Sequence, residues 1–145
     1  MNSSLIKFVE AQEITFEVAL SEIKSGRKRS HWMWYIFPQF AGLGFSETSQ
    51  LYSIKSLNEA KEYLKHPILG VRLNQICNEL LKLDLTDPEI IFGSPDHLKL
   101  KSSMTLFAVA NGKEENVFQS ILVKYFKNQF DKKTLELLKN EINPQ

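Results

Sequence analysis

Apolar residues recur at helical spacing along most of the chain. Phe16, Ala19, Leu20 and Ile23 follow the i, i+3, i+4, i+7 pattern of an amphipathic helix, which stops at Gly26. Ser30 is then placed to cap a short aromatic helix through His31, Trp32, Met33, Trp34, Tyr35, Ile36 and Phe37. Pro38 ends it, because proline disfavours helical geometry in the residue before it. The residues at 32 to 37 also read as a strand. Gly42, Leu43, Gly44, Phe45 and Ser46 make a tight loop, and Glu47 to Ile54 carries no decisive pattern.

The second half is more regular. Ser56 and Glu59 have the spacing of a capping box, opening a helix that runs through Ala60 and Leu64 to His66. Pro67 suits the first turn of the next helix, whose Leu69, Leu73, Ile76, Leu80 and Leu83 form a continuous apolar stripe. Asp87 with Pro88 starts a short helix ending at Gly93. Ser94 with Pro95 starts another, which carries Leu98, Lys99, Met104, Phe107 and Ala108 and stops at Asn111 and Gly112. Two helices follow, one with Val117, Phe118, Ile121, Leu122 and Tyr125 inward, the other capped by Asp131 with Leu135 and Leu138 inward.

The expected fold is all-α: an irregular helical bundle of about five to seven helices, forming one domain over residues 1–145. Its first few residues and those after about 142 are expected to fray. Composition supports a packed core, with 43% hydrophobic and 24% charged residues. A formal net charge of +1 provides no global field toward nucleic acid or an anionic membrane, so anion recognition must be local. One cysteine, Cys77, excludes an internal disulfide. The N-terminus lacks the pattern of a signal peptide, which makes the cytoplasm the expected location. No apolar run approaches the roughly 18 residues of a membrane-spanning helix.

Three places concentrate chemistry. Arg27, Lys28, Arg29, Ser30 and His31 bring cationic side chains and free N–H groups to a helix start, as a phosphate site requires; the same residues also read as a solvated basic turn. Trp32 and Trp34 are two apart and cannot share a helix face, so one is expected to be buried and the other to line a cleft or the surface; both also read as core anchors. Asp96 and Lys99 share a face at i, i+3, as a general acid and base or as a structural ion pair, and Ser102, Ser103 and Thr105 follow with hydroxyls. His31, His66 and His97 lack metal-motif spacing, Cys77 lies on an apolar face, and no G-x-S-x-G elbow occurs. No motif asks for a metal or a cofactor.

The run His31-Trp32-Met33-Trp34-Tyr35-Ile36-Phe37-Pro38-Gln39, followed by Gly42-Leu43-Gly44 and Ser46, resembles the signature of the domain of unknown function numbered 1810. Tyr52-Ser53-Ile54, the stretch from His66 to Leu73, and Phe92 to Asp96 running into Lys99 to Phe107 extend the resemblance from about residue 8 to about residue 138. It implies a mainly helical single domain and no assigned reaction. The calpastatin label that members often carry does not fit, since an inhibitor that folds on its protease should be polar and disordered, and this chain has 10 Phe.

The expected function is binding of a small phosphorylated ligand, a nucleotide or an ADP-ribose-like molecule, in an aromatic and basic cleft, with hydrolysis as an extension. Arg29, His31, Trp34, Ser46, Tyr52 and Arg72 are the candidate ligand-binding residues, and Asp96 and Lys99 the candidate catalytic pair. The alternative is a non-catalytic protein-interaction module using the Trp32–Phe40 aromatic segment. Nucleic acid has less support, given the balanced charge.

Overall fold

The computed structural model describes residues 3–142; Met1, Asn2 and residues 143–145, including most of the tail expected to fray, lie outside it. After a 3-10 turn at Ser3–Leu5 come α1 (Ile6–Lys24), α2 (Met33–Ile36), α3 (Glu47–Leu51), α4 (Leu57–Lys65), α5 (Leu69–Lys82), α6 (Pro88–Phe92), α7 (Asp96–Asn111), α8 (Val117–Phe126) and α9 (Lys132–Ile142). Among the described residues there is no strand beyond one bridge between Phe40 and Ile54.

The fold is all-α as expected, but with nine α-helices among the described residues rather than five to seven. Of the short elements, α2 and α6 fall within the short helices expected at 31 to 37 and after Asp87, whereas the five-residue α3 falls where the sequence carries no decisive pattern. The segment from 47 to 54 is α3 plus the bridge residue. The strand reading of 32 to 37 is replaced by the single turn α2.

Caps explain most boundaries. Ser46, Ser56, Asp87 and Asn116 each accept a backbone N–H of the first helical turn. Glu59 completes its box one residue early, on the Lys55 N–H at 2.9 Å. His66 caps α5 through Nδ1, which accepts the N–H groups of Ile68 and Leu69; Pro67 therefore lies in the turn ahead of the helix. Ser30 does not cap α2, because its hydroxyl is drawn to Glu22 instead. Gly26 and Gly93 close α1 and α6 with φ of +84° and +75°, where a Cβ would be strained.

The centre of the molecule is α7, which packs against α4, α6, α8 and α9. Ser102 through Ala108 are all buried, so this helix is enclosed on every side rather than striped. α5 joins α1, α4 and α8 through the buried Leu69, Leu73, Ile76 and Leu80. Cys77 is buried on the same face, and burial pushes its thiol far up from its ordinary range. The buried Gln12 is matched, donating to the Tyr35 carbonyl at 2.7 Å and to the Tyr63 hydroxyl at 3.0 Å, whereas the buried Ser103 hydroxyl has no hydrogen-bond partner among the described residues. One inward assignment is corrected. Leu138 is 2% exposed but Leu135 is 40% exposed, because the cap from Asp131 to Thr134 sets α9 so that Thr134 and Leu138 face in.

The aromatic segment is mostly core. Trp32, Met33, Ile36, Phe37 and Phe40 are buried, and Trp32, Phe37 and Phe92 form a cluster with centroids 5.8 to 6.4 Å apart. It therefore does not form an exposed patch. Among the described residues, no helix is long and apolar enough to cross a membrane.

Candidate functional site

Where an anion site is expected at 27 to 31, the N–H groups of Arg29 and Ser30 and the Ser30 hydroxyl are taken by the protein's own carboxylate. Glu22, in the last turns of α1, accepts the N–H groups of Arg29 at 2.7 Å and Ser30 at 3.0 Å, the Ser30 hydroxyl at 2.5 Å and the Trp32 indole N–H at 2.9 Å. Partial burial opposes ionisation of this carboxyl. The donors outweigh it, led by the Ser30 hydroxyl and the Arg29 N–H, and lower the pKa to about 2. Glu22 thus ties the loop after Gly26 back onto α1.

The held loop aims Lys28 inward. Its Nζ contacts the Ser30 carbonyl at 2.5 Å and Asp96 Oδ2 at 3.0 Å, and lies 5.1 Å from the centroid of the Trp32 ring. Asp96, the first residue of α7, engages Lys99 Nζ with its other oxygen at 3.3 Å. Lys99 in turn sits 5.1 Å from the centroid of Trp34. A continuous set of contacts therefore runs from Glu22 through Trp32, Lys28 and Asp96 to Lys99 and Trp34.

Trp34 and Lys99 stand on the wall of an open groove of about 440 Å³. The loop from Leu43 to Ser46 and the start of α3 form a second wall, and the N-terminal end of α9 a third. Ser46 and Ser49 are fixed by the cap of α3, with their hydroxyls 3.0 Å apart. On the floor, Gln39 donates to the Ser102 hydroxyl at 2.7 Å. Gly44 is required by space: a Cβ there would lie 2.5 Å from Ser49 Oγ. Asp131 accepts the Thr134 N–H and hydroxyl as the cap of α9, and Lys133 extends beside it.

Of the residues singled out from the sequence, Trp34, Ser46 and Lys99 meet at this groove, with Asp96 directly behind Lys99. Trp32 is buried and Trp34 half-buried. Arg29 and His31 are exposed on the loop that Glu22 holds, and neither lines the groove. Arg72 and Tyr52 belong to another part of the molecule. Arg72 reaches Gln12 and Glu13 at 3.5 Å each and lies over the Phe16 ring, and Tyr52 packs on Phe8 and Tyr35.

Glu22, Gln39, Ser49 and Lys133 were not legible as site residues. For Glu22 a signal existed: a carboxylate one turn before a glycine-ended helix, with unpaired N–H groups just beyond the glycine. Asp96 is already engaged by two ammonium groups, so it fixes Lys99 rather than presenting a free base. Among the described residues no group of three His, Cys, Asp or Glu side chains is arranged to hold a metal.

The structure is similar to that of the conserved hypothetical protein Rv1873 from Mycobacterium tuberculosis, solved at 1.38 Å, with a TM-score of 0.89. The two are 43% identical, over 93% of this chain and 96% of that one. No curated protein matches the chain. The profile of the family described as protein of unknown function (DUF1810) matches residues 2–138, nearly the whole sequence, and the chain belongs to that family.

Proposed function

We propose that this protein binds a small phosphorylated ligand, a nucleotide or an ADP-ribose-like molecule, in the groove between Trp34, the loop from Leu43 to Ser46, and α9. The observation that carries this reading is the fixed ammonium of Lys99, held between Asp96 and the Trp34 ring at the groove wall. A phosphate would be taken by Lys99 with Lys133 and the hydroxyls of Ser46 and Ser49, all of which line the groove. The base would lie on Phe45, whose ring is 88% exposed at the rim, and on the edge of Trp34. With Asp96 engaged as a counter-ion, the reading is one of binding and does not include hydrolysis.

The test is thermal denaturation of the protein with ADP, ADP-ribose and sugar phosphates, for the native chain, Lys99→Ala and Arg72→Ala. A ligand at about a hundred times its Kd adds about 2.7 kcal/mol, a shift of several degrees. The shift is expected to vanish in Lys99→Ala and persist in Arg72→Ala. No shift with any of these compounds, or loss in both variants, sinks the groove assignment. A protein-interaction module is the second reading, and it rests on the exposed Phe45 and Leu98 at the same rim rather than on the buried segment from Trp32 to Phe40.

A further inference from the structure

The groove does not end at Lys133. A second hollow of about 600 Å³ adjoins it, with Asp131 and Lys133 lining both. Lys101, Phe130 and Lys132 belong to the second hollow alone. Each hollow is of a size that takes a small ligand, so the pair exceeds what one nucleotide fills. Four lysines, Lys99, Lys101, Lys132 and Lys133, thus follow one path. Among the described residues Lys101, Lys132 and Lys133 enter no ion pair. Among the described residues the one carboxylate lining the path, Asp131, is turned to the Thr134 N–H and hydroxyl as a helix cap.

Aromatic rings line the same two hollows. Phe45 presents an open ring in the first hollow and the half-buried Phe130 lies in the second, while one face of Trp34 carries Lys99. A track lined by both ammonium groups and rings suits a ligand that repeats phosphate and base along its length. The balanced net charge does not argue against this, because four cations on one path act locally, within the screening length of the backbone they meet.

We infer that the two hollows form a single track for a short single-stranded nucleic acid, with the first hollow holding one nucleotide and the second its neighbours. This rests on the groove reading above and extends it from a mononucleotide to an oligomer. The ring positions favour a single strand, since a duplex keeps its bases stacked inside and offers Phe45 nothing to stack on.

Fluorescence anisotropy with a labelled oligonucleotide of about eight nucleotides tests this, using a duplex of the same length and AMP as competitors. The oligomer is expected to bind at least about tenfold more tightly than AMP. Its affinity should fall with salt at a log–log slope of about −3, from about 0.7 per phosphate over four lysines. The double variant Lys101→Glu, Lys132→Glu should weaken the oligomer about tenfold and leave AMP unchanged. Phe45→Ala, at an exposed position, should weaken both. If AMP binds but the oligomer binds no tighter, or the double variant leaves oligomer affinity intact, the track is wrong and the mononucleotide groove stands. A duplex that binds as well as the single strand also overturns the track. If neither AMP nor the oligomer binds, both readings fall together.

Discussion

The indole nitrogen of Trp32 donates to Oε1 of Glu22 at 2.9 Å, joining the end of α1 to the aromatic segment ten residues later. The same carboxylate takes three further donors from Arg29 and Ser30, so it satisfies groups that would otherwise be unpaired around a loop outside any helix. Glu22→Gln keeps the shape but sets an amide N–H₂ against donors and removes the charge. It should cost about 2 kcal/mol at neutral pH, less than the sum of the bonds because the site is partly solvated. Glu22 has a folded pKa near 2 against an ordinary 4.5. Between those values the unfolded chain takes up the proton and the folded chain does not, so its contribution is complete above the ordinary value and fades as pH falls toward 2. Melting temperatures of the two proteins should differ by several degrees at pH 7 and converge toward pH 2. A constant gap across that range would refute the role of the charge.

Lys28 and Asp96 are paired across 68 positions, with the lysine side chain 8% exposed and the aspartate 22% exposed. Removing Lys28 leaves Asp96 paired with Lys99, but removing Asp96 strands the Lys28 ammonium in a partly dry environment, which costs more than removing both. Asp96→Asn alone should destabilise by about 2 kcal/mol, and adding Lys28→Met should recover part of that loss. Urea denaturation of the two single variants and the double reads the coupling directly. Strict additivity would mean that Lys28 acts only through its contacts with Ser30 and Trp32.

How much of this was legible in the sequence depended on range. The stripe from Leu69 to Leu80 has one wet and one dry face, and it was read correctly because periodicity reports that contrast. The enclosure of α7 was not legible, since a helix covered on all sides has no contrast to report. Asp96 and Lys99 lie within one turn and declared themselves as a pair. Lys28 opposite Asp96 requires the packing of the loop after α1 against the start of α7, which no local pattern encodes. The cations and N–H groups at 27 to 31 read as an anion site, while the Trp32 indole donor did not. What could not be seen was that the anion belongs to the same chain.

Two glycines test space in opposite ways. A Cβ on Gly70 would lie 2.1 Å from the Leu64 carbonyl oxygen, a backbone atom that moves only if α4 and α5 separate. Gly70→Ala should therefore cost at least about 3 kcal/mol or prevent folding. At Gly44 the obstacle is the Ser49 side chain, 2.5 Å from the added carbon. Gly44→Ala should cost less, about 1–2 kcal/mol: turning Ser49 clears only its Oγ, and its Cβ, 2.7 Å from the added carbon, must move with the short α3, none of whose residues is buried, displacing the groove wall. Denaturant midpoints of the two variants decide this, and equal losses would contradict the assignment of backbone against side chain.

Leu135 and Leu138 were both expected to face inward on α9, and only Leu138 does. The helix is oriented by its cap: Asp131 fixes the Thr134 N–H and hydroxyl, which turns Thr134 to the core and leaves Leu135, about 100° further round, toward solvent. Leu138→Ala should then cost about 2–4 kcal/mol, as loss of a fully buried leucine does, while Leu135→Ala should stay within about 0.5 kcal/mol. Asp131→Ala links the two, since without the cap α9 loses the contact that sets its rotation, at a cost of about 1 kcal/mol. Chemical denaturation of the three variants separates the possibilities. Comparable losses at Leu135 and Leu138 would mean that α9 sits rotated from the orientation described, with Lys132 and Lys133 turned away from the groove.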